Sequence, residues 1–197
     1  MYDNIPDLAR CPWAGIDDPL YTHYHDTEWG RPVRDSQLLF RKLILDGQQA
    51  GLAWITILRK RAHMLEAYDN FDPAIIANYG DADIERLLGD KGIIRSKLKI
   101  KAAITNAQCF LEMHDKGEDF SDYLWDFVDG KPIQNAWEQN DEIPVKTDIS
   151  EALSKDLKKR GFKFVGPVIV YAFMQAVGMV NDHLVSCHCY ETCKRLG

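Results

Sequence analysis

The chain lacks any apolar run that approaches the roughly 18 residues needed to cross a bilayer. Its opening residues, MYDNIPDLAR, lack the basic-then-apolar layout of a signal peptide. A cytoplasmic protein with no membrane partner is therefore expected. Alternating strand patterns are nearly missing, and there is neither an internal repeat nor a low-complexity tract. Basic charge is not in excess either. A net charge of −6 and a pI near 5.5 exclude a protein that coats nucleic acid indiscriminately, because phosphate binding is driven by clustered Lys and Arg. Two local basic clusters remain, Arg95 to Lys101 and Lys155 to Lys163, and each alone reads as a solvated helix face. Cysteine is sparse and odd in number. The five thiols stand at 11, 109, 187, 189 and 193, which suits metal binding and reduced thiols better than a secreted disulfide framework.

What is present is helical periodicity. At 197 residues and 46% hydrophobic, the chain can bury one core or two small lobes without cross-links. The periodicity predicts helices over Pro19 to Trp29, Ser36 to Gly51, Trp54 to Tyr68, Asp83 to Leu88, Ser96 to His114 and Ser121 to Val128. Asp18-Pro19 and Asp35-Ser36 supply helix starts. The segment Gly130 to Pro144 has many turn formers and reads as a long separating loop. Helices follow at Ser150 to Arg160 and Pro167 to Val177, with a short last helix expected to begin near Asp182. The expected class is all-α.

On that last helix His183 and Cys187, spaced i, i+4, would lie one above the other and reach one ion. Cys11 and His25 could supply the other half of a Cys2His2 set, which would leave zinc no open position and make it a structural ion. Spacing alone is equally consistent with an ordinary packed pair, and His188, Cys189 and Cys193 compete as ligands. The stretch LKKRGFKFVGP reads as helix, glycine-bounded turn and helix. Gly161 and Gly166 permit the bend, and Lys158, Lys159, Arg160 and Lys163 surround backbone N–H groups suited to a phosphate. A plain helix corner fits the same pattern.

On the first helix Tyr21, Tyr24, His25 and Glu28 share a face, with Trp13 and Trp29 near in sequence. On the second, Leu39, Leu43, Asp46 and Ala50 share a face, so that a carboxylate interrupts an apolar stripe, an expensive place for a charge. Either Asp46 sits at a frayed end capped by backbone donors, or it closes an aromatic pocket for a flat cationic ring.

Taken in order, CPWAG at 11, PLYTHYHDTEWGRPV at 19, DGQQAGLAWITIL at 46, GIIRSKLKI at 92, and KKRGFKFVGP through VNDHLVSC resemble the 3-methyladenine DNA glycosylase I family across nearly the whole chain. The resemblance implies a helix-hairpin-helix glycosylase fold. It implies either one compact unit over 1–197 or two helical lobes, with 145–197 carrying the DNA-binding hairpin and half of the metal site. It implies a structural zinc held by Cys11, His25, His183 and Cys187, and it excludes Cys189 and Cys193. The implied base pocket consists of Asp46 as the catalytic carboxylate with Tyr24 and Trp54, lined further by Trp13, Tyr21 and Trp29. The hairpin contributes Gly161, Lys163 and Gly166, and Leu52 is a candidate to fill the gap left in the duplex.

The sequence departs from the family in two places, and from the wider superfamily in a third. Family members carry Glu where this chain has Asp46, so reaching a bound base is expected to need a water or a backbone shift. The proline after Cys11 and one extra residue before Pro19 are expected to be absorbed in a loop. Where wider relatives place a catalytic aspartate, two residues before the His of VDTH, this chain has Asn181. The implied activity is a monofunctional hydrolase that flips 3-methyladenine out of double-stranded DNA as a monomer, with no lysine placed for lyase chemistry. The alternatives are a non-enzymatic, zinc-containing reader of damaged DNA and a zinc hydrolase with an open metal position.

Overall fold

The computed structural model describes residues 8–14 and 18–197. Among them lie ten α-helices: α1 Pro19–Thr27, α2 Ser36–Gln49, α3 Trp54–Ala67, α4 Pro73–Ile76, α5 Asp81–Gly89, α6 Lys97–Asp115, α7 Phe120–Asp126, α8 Asp148–Lys159, α9 Pro167–Ala176 and α10 Tyr190–Leu196. Asp18 caps α1 by accepting from the N–H groups of Leu20 and Tyr21 at 3.1 and 3.3 Å, and Asp35 caps α2 through Leu38 at 2.8 Å. Both starts fall where the sequence placed them. The adjustment expected just before Pro19 falls partly on residues 15–17, outside the described residues.

Helix α2 is the hub. Its apolar side chains Leu39, Phe40, Leu43 and Ile44 are buried, and it packs against α3, α6, α7 and α9. Each such side chain contributes about 1.5–3 kcal/mol on leaving water. One cluster of buried residues runs from Cys11 to Cys193, so the N-terminal and C-terminal segments share the core with the central helices. Lys99 Nζ donates to the carbonyls of Gln48 and Ala50, both at 2.7 Å, and so satisfies the C-terminal end of α2. Among the described residues no helix is long and apolar enough to cross a membrane.

Three local features differ from the sequence expectations. No helix begins at Asp182. Residues 182–189 form turns, because the N–H of Cys187 goes to Leu184 at 2.8 Å and that of His188 goes to Ala9 at 2.9 Å, and α10 starts only at Tyr190. A short helix, α4, appears where none was expected, capped by Asp72 with a proline at its first position. The long loop after α7 also contains strand β1, Ile133–Gln134, paired in parallel with β2, Val180–Asn181, in the register Ile133 to Val180. That pairing folds the loop back onto the turns that carry His183.

Candidate active site and metal centre

The turns at 182–189 bring four ligand atoms together. Cys11, His25, His183 and Cys187 are all buried, and their donor atoms lie within 4.8 Å of one another. The Cys11 Sγ to His183 Nδ1 distance is 3.6 Å, and Cys187 Sγ stands 3.5 Å from both His183 Nδ1 and His25 Nε2. Zinc–sulfur bonds of about 2.3 Å and zinc–nitrogen bonds of about 2.0–2.1 Å at tetrahedral angles give a sulfur-to-nitrogen edge of roughly 3.5–3.6 Å. The cluster therefore has the size of a four-ligand metal site. Both imidazoles are oriented from behind. His183 Nε2 donates to the Trp29 carbonyl at 3.2 Å, and His25 Nδ1 donates to Asp26 Oδ1 at 2.8 Å, so the remaining ring nitrogens face the thiols with their lone pairs.

Asp26 also accepts from Arg10 at 2.8 and 2.9 Å and from His188 at 3.0 Å. Burial pushes its carboxyl up, but the hydrogen bonds from Arg10, His25 and His188 outweigh burial and hold it below the usual carboxylate range. Among the rival ligands, His188 and Cys189 form a second group with His25 and Asp26. That group borrows His25, and two of its members are only half-buried, whereas Cys193 belongs to neither group. The i, i+4 spacing of His183 and Cys187 thus converges on a turn and not on a helix face.

Gly30 shows how closely the chain segments meet there. Its φ is +79°, and a Cβ on it would stand 2.8 Å from His183 Nε2. The same contacts join the metal cluster to an aromatic wall. Trp29 meets His183 edge to face at 4.6 Å between centroids, and Trp13 meets His25 at 5.1 Å and Trp29 at 4.8 Å. Tyr21 packs on Trp13 at 5.4 Å.

Beyond this wall opens a cavity of about 350 Å³ lined by Trp13, Tyr21, Tyr24, Trp29, Asp46 and Trp54, the six residues that the sequence nominated. Tyr24 and Trp54 face each other at 5.5 Å between centroids and 47°. Asp46 is 2% exposed, inside α2, and no backbone donor caps it. The reading of a frayed, capped end is corrected: its Oδ1 accepts from Lys42 Nζ on the preceding turn, and its Oδ2 is buried with no hydrogen bond. Burial pushes the Asp46 carboxyl up against the pull of Lys42, and burial pushes the Lys42 ammonium down against the pull of Asp46.

Several lining residues were not anticipated. Lys42 is part of the lining, Tyr171 and Gln175 contribute from α9, and Asn140, Ile143 and Pro144 of the long loop, with Val145 after it, close one side. That loop is a pocket wall as well as a connection. Asp182, overlooked in the sequence beside His183, ties these parts together while buried. Its Oδ1 accepts from Asn135 at 2.6 Å and Trp137 at 2.8 Å, and its Oδ2 accepts from Tyr171 at 2.6 Å and Gln175 at 2.8 Å. The only signal for it in the sequence was a carboxylate set in the apolar run VNDHLV. Asn181 is also structural. It donates to Gln134 at 3.0 Å and to the Tyr190 carbonyl at 3.2 Å.

Helices α8 and α9 pack on each other across the turn of residues 160–166. Gly161 takes φ +102°, and Gly166 is the N-cap residue of α9. Asn106 of α6 clamps the turn, accepting from the Lys163 N–H at 2.7 Å and donating to the Lys163 carbonyl at 3.1 Å. Two details revise the expected phosphate clamp. The Lys163 N–H is already taken by Asn106, and Arg160 is committed to Asp156 and Glu118, each at 2.7 Å. Lys158, Lys159 and the side chain of Lys163 remain exposed, and Lys163 shares a surface groove with Lys101. Leu52 stands 40% exposed on the turn between α2 and α3, next to the pocket residue Trp54.

The sequence pattern of a family described as methyladenine glycosylase matches residues 13–190. The chain is 51% identical over 183 residues to DNA-3-methyladenine glycosylase 1 of Escherichia coli (strain K12), covering 93% of this chain and 97% of that one. A crystal structure of 3-methyladenine DNA glycosylase I superposes with a TM-score of 0.91 at 52% identity, covering 92% of this chain and 100% of the other. A variant 3-methyladenine DNA glycosylase I solved in complex with 3-methyladenine superposes with a TM-score of 0.88 at 39% identity, covering 92% of this chain and 97% of that one. An aromatic pocket closed by one buried carboxylate, on a fold shared over nine-tenths of its length, places this chain in the methyladenine glycosylase family.

Proposed function

We propose that this protein is a monofunctional DNA glycosylase that hydrolyses the N-glycosidic bond of 3-methyladenine in alkylated double-stranded DNA, acting as a monomer in the cytoplasm. The observation that carries the reading is Asp46: a buried carboxylate with one oxygen unpaired, lining the same cavity as Trp54 and Tyr24. Desolvating such a group is costly, and a function that uses its charge accounts for its retention.

Alkylation at N3 leaves the adenine ring positive. When the sugar–base bond breaks, the base keeps the bonding electrons and departs neutral. Water adds to the sugar carbon and releases its proton to solvent. The flipped base costs a few kcal/mol of unstacking, which stacking on Trp54 and Tyr24 offsets. Asp46 accepts from the base and stabilises its charge, and Trp13, Tyr21 and Trp29 exclude water from the far wall. Leu52 fills the vacated place in the duplex. The turn bearing Gly161, Lys163 and Gly166 serves as a helix-hairpin-helix contact to the DNA backbone, where the first turn of α9 has N–H groups without helical partners.

Cys11, His25, His183 and Cys187 hold a structural zinc. Their donor set and spacing fit that ion, and four protein ligands leave no open position for a substrate. When bound, the ion ties the two ends of the chain behind the aromatic wall. This disfavours a zinc hydrolase. Relatives named as glycosylases at about half identity favour an enzyme over a non-enzymatic reader of damage.

Titration with free 3-methyladenine, followed by tryptophan fluorescence with adenine as comparison, tests the pocket. Selective quenching that Trp54→Ala weakens by roughly 5- to 150-fold, the range for losing one base stack, supports the reading. Equal response to both bases contradicts it.

A further inference from the structure

Lys42 is a charged residue of the pocket to which the proposed reaction gives no role. Its side chain is only 16% exposed, its Nζ is paired with Asp46 Oδ1, and it lies 4.1 Å from the centroid of the Trp54 ring. These are the two partners that would hold a positively charged base, an anion and an electron-rich ring face. A lysine ammonium thus makes, within the protein, the contacts that the flipped base would make. The same side chain also lines a second cavity, of about 480 Å³. Tyr24, Lys42 and Ala176 line both spaces, and Glu28 lines the second. The Glu28 carboxylate there is engaged by Arg61 at 2.5 and 2.8 Å, and the Arg61 charge repels the Lys42 ammonium more than Glu28 attracts it, so Asp46 is the anion that holds Lys42. A four-carbon stem at the boundary of two cavities has somewhere to go.

We propose that Lys42 is an internal competitor for the base: it occupies Asp46 and the Trp54 ring while the pocket is empty, and withdraws from both when a base enters. The proposal rests on the pocket being the base site. The arrangement has a physical logic. A lone buried carboxylate would be unpaired between turnovers, whereas Lys42 keeps it compensated. The same lysine lowers the affinity for the base and hastens its departure, because the vacated partners are refilled from within. Lys42 is in this sense a specificity-determining residue that sets how strongly a cationic ring must bind to displace it.

Two measurements test this. Lys42→Met keeps the length of the side chain and removes the charge. It should bind free 3-methyladenine about tenfold more tightly, within the span of one base stack on a ring freed of its competitor, and lower KM on methylated duplex DNA without raising kcat. In the unaltered protein, the Lys42 Cε–H signals in a side-chain NMR spectrum should be shifted upfield by the Trp54 ring. They should return toward ordinary lysine values as 3-methyladenine is added. This second measurement decides the matter even if Lys42→Met fails to fold. Base binding that leaves the Lys42 signals unmoved, or a folded Lys42→Met protein with equal or weaker affinity, overturns the proposal alone. No base binding by the unaltered protein overturns the assignment of the pocket and the proposal with it.

Discussion

The Trp29 carbonyl accepts the Nε2–H of His183 at 3.2 Å, and the two rings meet edge to face at 4.6 Å. A pocket-wall residue and a residue of the Cys2His2 cluster are therefore held by one hydrogen bond and one ring contact. A defect in the cluster should reach the pocket. Cys187→Ser should remove the metal and lower Tm, because the remaining buried ligands lose their partner at about 1–3 kcal/mol each, and each kcal/mol is worth roughly 2–4 °C in a chain of this size. Elemental analysis and a melting curve on the same preparation check this. A variant that keeps its metal and its Tm but loses activity would point to a catalytic ion.

Asp182 joins the pocket to the turns that carry His183 and Cys187 from the other side. An amide at this position puts an NH₂ group against two of its donors. Asp182→Asn should therefore cost about 3 kcal/mol, a fall in Tm of roughly 6–12 °C, and should weaken base binding as Tyr171 and Gln175 lose their anchor. Thermal melting together with a base titration reads both effects. Unchanged melting would show that the carboxylate is not what holds the α9 side of the pocket.

The hairpin surface predicts a salt effect. Lys101 and Lys163 share a groove, while Arg160 is occupied by Asp156 and Glu118. Lys163→Ala and Lys101→Ala should each reduce the slope of log K against log salt for duplex binding by about 1. Arg160→Ala should act mainly on stability. A steeper loss of slope for Arg160→Ala than for the two lysines would reverse this assignment.

Stability toward acid carries the mark of Asp156. The Arg160 guanidinium, bonded to it at 2.7 Å, and then the Tyr123 hydroxyl at 3.0 Å hold its carboxyl below the ordinary range in the folded protein. Its contribution is therefore complete above the unfolded value, about 4, and is lost as pH falls through the depressed folded value. Asp156→Asn should melt lower than the unaltered protein near pH 7, and the gap should close below about pH 4. Melting curves across that window check the sign, and a constant gap contradicts it.

Much of this architecture could be read from local chemistry. Asp18-Pro19 and Asp35-Ser36 set α1 and α2, because caps and first-turn prolines act within one turn of chain. Part of the aromatic lining and Asp46 were legible for a similar reason, since helical spacing put Tyr21 and Tyr24 on one face and made a carboxylate conspicuous among leucines, whereas Trp54 was named only by the family resemblance. The end of the chain was misread because the backbone donors at 187 and 188 are used in turns and by Ala9, contacts that no periodicity announces. Lys42 and Asp182 were missed for the opposite reason to Asp46. Lysine at i−4 to aspartate looks like a solvated surface pair, and the donors that bury Asp182 come from Asn135, Trp137, Tyr171 and Gln175, up to 47 positions away in sequence.

The most direct measurement is release of the free base. The purified protein is incubated with methylated duplex DNA, and the supernatant is separated by chromatography. Release of 3-methyladenine, leaving abasic sites with the strand intact and falling sharply in Trp54→Ala and Asp46→Asn, is the predicted result. No release above the Trp54→Ala level from a folded, metal-loaded protein would contradict the assignment of this chain as an excising enzyme.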